Sequence, residues 1–244
     1  MTAHSTALPG SEGEHRAQAA FGTTRRALAF YNHQMLTYLT PLMSQFIAGQ
    51  EMVFIATADA RGHADSSVRF GPPGFVLVLD EHTLIYPEYR GNGVMASVGN
   101  LGENPHIGLL FIDFVHDTIG LHVNGQAKII EKESLLDYFV NSDTSTLANG
   151  MLFEQLHLTP AMIEHLIELT LTTGGRRPER WIAVVVEEAY IHCSKHIPLL
   201  QKLEKPIHWG TDDHQFKGGD AFAAKSGARP WLAELAEPDP LLET

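Results

Sequence analysis

Tyr86-Pro87-Glu88-Tyr89-Arg90-Gly91-Asn92-Gly93-Val94-Met95-Ala96-Ser97-Val98-Gly99-Asn100-Leu101-Gly102-Glu103-Asn104-Pro105 is the stretch whose reading decides the fold. An apolar run leads into it, a Gly-Asn-Gly turn follows, and a short helix begins. Asn104-Pro105 stops that helix, because a residue before proline is pushed out of the helical region. The arrangement suits a phosphate. Arg90 offers charge and a planar fork of donors, while Asn92 and Ser97 add neutral ones. The helix N-terminus presents unpaired N–H groups at its positive end. The glycines let a ligand approach the backbone closely. The same residues also fit a plain strand-to-helix connection, with Gly91 and Gly93 supplying only turn geometry.

Working outward, strand signals lie on both sides. Residues 52–58 form a continuous apolar, β-branched segment, Ala60-Arg61-Gly62 makes a hairpin turn, and 65–70 returns antiparallel. Pro72-Pro73-Gly74 breaks the chain before 75–79, and Asp80-Glu81-His82 turns it into 83–86. Residues 106–114 and 119–130 complete six strands, mostly in hairpin order, which predict a small antiparallel barrel. In such a meander, the strand carrying Ser66-Ser67-Val68-Arg69 stands beside the 83–86 strand and aims Arg69 at the same pocket. The competing reading of Arg69 is a surface ion pair with an acidic neighbour. Residues 181–192 are again strand-like.

The flanks predict helices. In 23–50, Leu28, Tyr31, Met35, Leu39, Leu42, Met43, Phe46 and Ile47 recur at three- and four-residue steps, Thr23 or Thr24 caps the start, and Pro41 kinks or breaks the run. Residues 132–141 and 159–171 are amphipathic, the latter opening with Thr159-Pro160. The expected organisation is a flexible arm over 1–22, a helix over 23–50, a barrel over 51–200 and an extension over 201–244. Trp231, Leu232 and Leu235 are placed to dock the extension on a neighbour.

Composition narrows the function. The chain has 17 basic and 29 acidic residues and a formal net charge of −12. This argues against broad nucleic-acid binding or a polybasic membrane contact. Cys193 is the only cysteine, so no intramolecular disulfide forms, which suits a reducing cytoplasm. No apolar run reaches the length of a membrane span, and residues 1–22 lack a signal-type apolar core. The expectation is a soluble, cytoplasmic protein. No metal site is expected from the histidines, of which His106, His116 and His122 fit structural or solvent-facing roles.

The combination of 52–59, 65–69, Arg90-Gly91-Asn92-Gly93 and Gly99-Asn100-Leu101 with Asn104-Pro105-His106-Ile107-Gly108-Leu109 resembles the pyridoxamine 5'-phosphate oxidase-like superfamily. Asn124-Gly125-Gln126-Ala127 fits the strand that follows, and the similarity covers about 50–130, with a weaker echo at 181–198. The resemblance implies a mainly β fold, a six-stranded antiparallel split β-barrel with flanking helices. It further implies a homodimer that holds FMN at the subunit interface and oxidises or reduces a small-molecule substrate. On that basis the cofactor contacts are Ser66, Ser67, Val68, Arg69, Arg90, Asn92, Ser97 and Asn100. His192, Cys193 and Lys195 become candidates beside the flavin ring or an anionic substrate, against a plain strand end with solvated basic groups. The phosphate oxidases proper carry an Arg-x-Val-Leu-Leu-Lys-type strand and an Arg-Lys pair opening the helix. Here these places hold Ser67-Val68-Arg69-Phe70-Gly71 and Ala96-Ser97. Their terminal Trp/Arg substrate motif is also absent from Trp231-Leu232-Ala233-Glu234-Leu235. Flavin chemistry is thus implied more firmly than the vitamin B6 reaction. A flavin carrier without turnover, or a split barrel using deazaflavin or haem, remains open at this level.

Overall fold

Polar-to-apolar alternation and capping residues set the elements along the chain. The computed structural model describes residues 8–134, 156, 158–171, 178–208, 211, 213–216, 219–227 and 229. Ser11 caps α1 (Glu12–Ala20) by accepting from the Glu14 amide, so part of the stretch expected as an arm is helical. Residues 23–50 form two helices rather than one kinked helix. They are α2 (Thr24–Gln34) and α3 (Pro41–Ala48), separated by the short β1 (Met35–Leu36). Pro41 takes the first turn of α3, where its missing N–H costs nothing, and the Thr40 hydroxyl accepts from the Met43 amide at 3.2 Å.

The strands follow as β2 (Met52–Ala58), β3 (Ala64–Phe70), β4 (Leu77–Asp80) and β5 (Thr83–Tyr89). Then come α4 (Ala96–Glu103), β6 (His106–Ile112) and β7 (Gly120–Glu131). The last elements of the barrel are α5 (Pro160–Leu171) and β8 (Pro178–His192). The chain divides into two units, Met1–Gly210 and Thr211–Thr244. In the second, the Asp220 carboxylate accepts from the Ala224 and Lys225 amides and starts the single turn Ala224–Ser226. Residues 135–141 of the expected helix, and Trp231, Leu232 and Leu235, lie outside the described residues.

The fold is a mainly antiparallel split barrel with added helices. Its sheet runs β3-β2-β6-β7-β8-β5-β4, with β1 joined to β8. The strand-like 181–192 segment belongs to this sheet. Extended to Pro178, it is an interior strand, bonded to β7 on one side and to β5 and β1 on the other. Such a strand is covered on both faces, which explains its near-continuous apolar run. Ile182 and Val184 join the barrel interior with Val53, Ile55, Leu109 and Val123. Trp181 and Ala183 turn the other way, onto Ile163, Leu166 and Ile167 of α5.

One polar chain threads that second core. The Trp181 indole N–H donates to Thr170 Oγ1 at 2.9 Å, and Thr170 Oγ1 donates to the Leu166 carbonyl at 2.6 Å. Both side chains are buried. Thr170→Val keeps the shape but strands the indole N–H, and costs about 1–3 kcal/mol. A denaturant titration reads this directly, and an unchanged midpoint would show that the bond contributes nothing.

Among the described residues, no helix is long and apolar enough to cross a membrane.

Candidate functional site

β3 and β5 are not hydrogen-bonded neighbours, contrary to the expected meander, and four strands separate them in the sheet. The curl of the sheet nevertheless brings their ends together. Arg69 on β3 donates from Nε to Glu88 Oε2 on β5 at 2.8 Å. Arg69 Nη1 also donates to Ser67 Oγ at 2.7 Å and to the Val68 carbonyl at 3.3 Å. Strand alternation places Leu84, Tyr86 and Glu88 on one face of β5, so the ion pair sits at the end of the barrel core.

Around this contact lies a cavity of about 580 Å³, a volume in the range of small-molecule sites. Ser66, Ser67, Val68 and Arg69 line it from β3, and Arg90, Asn92 and Ser97 line it from the turn and α4. Two segments far apart in sequence thus meet at one place. Asn100 does not line it. Its amide donates to Thr57 Oγ1 at 3.1 Å, fastening α4 to β2. His192, Cys193 and Lys195 are not among the lining residues either.

The turn is built for an open mouth. Gly93 has φ 82°, and a Cβ on Gly91 or Gly93 would meet nothing within 4 Å. Asn92 Oδ1 accepts from the Val94 amide at 3.0 Å, leaving its NH₂ as donor. Met95 precedes α4 in the left-handed conformation, φ 58°, and its side chain gives the helix no cap. A methionine there is strained, a feature that concentrates at ligand sites.

Two acidic residues line the same cavity and were not singled out from sequence. Glu88 holds Arg69, and Asp65 Oδ2 accepts from Ser97 Oγ at 3.3 Å. With Arg69 and Arg90 as the basic partners, the charged lining is balanced rather than cationic. Glu88 stood inside the decisive stretch, and extending the expected 83–86 strand by three residues would have placed it beside Tyr86. Its partner across the split had no local signal. The Tyr86 hydroxyl is buried without a hydrogen-bond partner among the described residues. Burial, and then the Glu88 charge, push its pKa upward while Arg69 opposes them.

A separate cluster lies on the outer face of β7 and β8. His122 Nε2 and His192 Nδ1 share a hydrogen bond at 2.9 Å, and His122 stacks on Tyr190 with ring centroids 4.7 Å apart. Burial, and then the His192 charge, lower the His122 pKa below the usual 6.5. The unfolded chain therefore binds the proton more readily, so stability falls as pH drops through about 6.5. His122→Gln removes that part of the slope, which chemical denaturation at pH 7.5 and 5.5 will measure. An equally steep profile in the variant would place the loss elsewhere.

The profile of the pyridoxamine 5'-phosphate oxidase family matches residues 39–193. No curated protein matches the chain significantly by sequence. Solved structures do. HupZ from Group A Streptococcus is 21% identical, with 61% of this chain and 90% of that one covered at a TM-score of 0.35. HutZ, the haem storage protein from Vibrio cholerae, is 15% identical, covering 63% and 93% at 0.34. The General Stress Protein 26 from Bacillus anthracis is 15% identical, covering 60% and 88% at 0.34. The chain belongs to the pyridoxamine 5'-phosphate oxidase-like split-barrel superfamily. The family binds flavins in general, and its members commonly dimerise.

Proposed function

We propose that the protein is an FMN-dependent oxidoreductase, a cytoplasmic homodimer acting on a small organic substrate. The observation that carries this reading is the single cavity shared by the 66–69 strand and the 90–97 turn-helix, the two segments from which the resemblance drew most of its cofactor contacts. The residues fit a flavin phosphate at one end. Arg90, the Asn92 amide, Ser97 and the first N–H groups of α4 would hold it. The open space before Gly91 and Gly93 admits close approach to the backbone. Residues 66–68 would lie along the remainder of the cofactor, whose chemistry when bound is the acceptance and release of two electrons.

The fit is weaker than in a strongly basic pocket, because Glu88 and Asp65 offset the arginines. This matches the absence of the Arg-Lys pair at Ala96-Ser97 and of the basic residue ending the family's strand. In this reading His192, Cys193 and Lys195, which do not line the cavity, are given no part in holding the flavin.

The visible absorbance of the purified protein tests the assignment, followed by mass identification of whatever denaturation releases. Released FMN supports the pocket and justifies screening electron donors. Bleaching by a donor separates an enzyme from a carrier that binds without turnover. A spectrum of haem or deazaflavin, or a colourless protein that refuses added FMN, sinks the FMN assignment.

A further inference from the structure

A second and larger cavity, of about 1000 Å³, opens where α3 ends, β2 begins and the turn between β6 and β7 folds back. Its apolar wall includes Phe46, Met52, Phe114 and Ile119, and Leu200 and Ile207 close it from the 197–208 segment. That segment follows the family-matched region, which ends at residue 193. Two ties hold it in place. The Leu200 amide donates to the Phe114 carbonyl at 2.7 Å, and the Lys202 ammonium pairs with the Glu51 carboxylate.

Apart from the exposed Asp117, the charges at this cavity are already committed. Glu51 and Lys202 neutralise each other. Burial alone would raise the Asp113 pKa, but the amides of Asp117, Val115 and His116 together lower it. Those amides donate at 2.8–3.0 Å, so the Asp113 charge is spent on shaping its own turn. Meanwhile Phe70, Val115, Leu200 and Ile207 stay 38–51% exposed around the one opening. Apolar side chains gathered in this way mark a binding surface for an apolar partner. Phe70 also lines the candidate flavin cavity, so the two spaces share a wall.

We propose that this cavity, completed by the 197–208 strap, binds a neutral and largely apolar small molecule, which under the function proposed above is the organic substrate. An anionic ligand would find no unspent cation there, since Lys202 is held by Glu51 and His116 faces Asp113, whereas an uncharged one gains from covering the exposed apolar side chains. The shared wall at Phe70 places the ligand next to the cofactor space. The strap then makes substrate choice a property of this chain and not of its family.

The test is a fluorescence titration of the full-length protein with Nile red, a neutral apolar dye, alongside flavin content and solution mass. The expected result is saturable binding with blue-shifted emission. Leu200→Asp and Ile207→Asp, both on the exposed strap, should each weaken it about tenfold by putting a charge into the apolar wall, with flavin content and mass unchanged. Absence of dye binding, or binding indifferent to both substitutions, overturns the site. A change of oligomeric mass in both variants also overturns it, because a second copy of the chain would then cover this face. Dye binding that responds to the strap in a protein that takes up no FMN keeps the site and removes only the flavin reading.

Discussion

Glu88→Gln should tighten FMN binding by about tenfold, equivalent to about 1.4 kcal/mol. In the free protein the Arg69 guanidinium is engaged by Glu88 at 2.8 Å, with the two side chains only 17% and 13% exposed. A phosphate entering the cavity must either compete with that carboxylate or sit beside it, and like charges at such distances repel strongly away from bulk water. Glutamine preserves size and one hydrogen bond to Arg69 while removing the repulsion. Riboflavin lacks the phosphate, so its affinity should change by less than about twofold, since a neutral hydroxyl feels little of the Glu88 charge. Flavin fluorescence quenching measures both ligands on both proteins. Equal tightening for FMN and riboflavin would show that Glu88 faces the ring or ribityl chain, and the phosphate end would need to be reassigned.

Gly125→Ala should destabilise the protein by about 3 kcal/mol or more. β7 changes register between Asn124 and Gly125 where it pairs with Glu188 and Val186 of β8. At this bulge the two backbones approach so closely that a Cβ on Gly125 would lie 2.0 Å from the Val185 carbonyl oxygen. A backbone oxygen in the middle of the central strand pair cannot swing aside like the end of a side chain. Gly108→Ala is the natural control. Its Cβ would find the Asn124 side-chain oxygen at 3.4 Å and the Ala56 Cβ at 3.8 Å, contacts of ordinary van der Waals size. Urea denaturation of the two variants should separate them clearly. Equal stabilities would mean the bulge relaxes at little cost.

Much of the fold was legible locally. The continuous apolar run over 52–58, the glycine turn at 60–62 and the Asn104-Pro105 stop each act over a few residues, and each stands in the structure as an element or its boundary. Pro41 was legible only as a disturbance. Whether it kinks one helix or starts another depended on Met35–Leu36 pairing with β8, a contact more than 150 residues away in sequence. The interior place of β8 was hidden for a similar reason. A run such as Ile182–Val186 is apolar whether it lies at an edge or inside the sheet, and only its pairing with β7 on one side and with β5 and β1 on the other decides which.

For the candidate site, sequence supplied the parts and the fold supplied their meeting. The hydroxyls, the glycine turn and the arginines were visible as chemistry that suits a phosphate, because donor type and turn geometry are properties of single residues and short spacings. Sequence alone also fixed the acidic balance, the lone cysteine and the resemblance to a flavin-binding family. Only tertiary structure decided that Asn100 holds Thr57 and that β3 meets β5 across the split without pairing with it. It also decided that Glu88 faces Arg69. These outcomes depend on the curl of the whole sheet, the sum of twist over many strand pairs, and no window of sequence contains that sum.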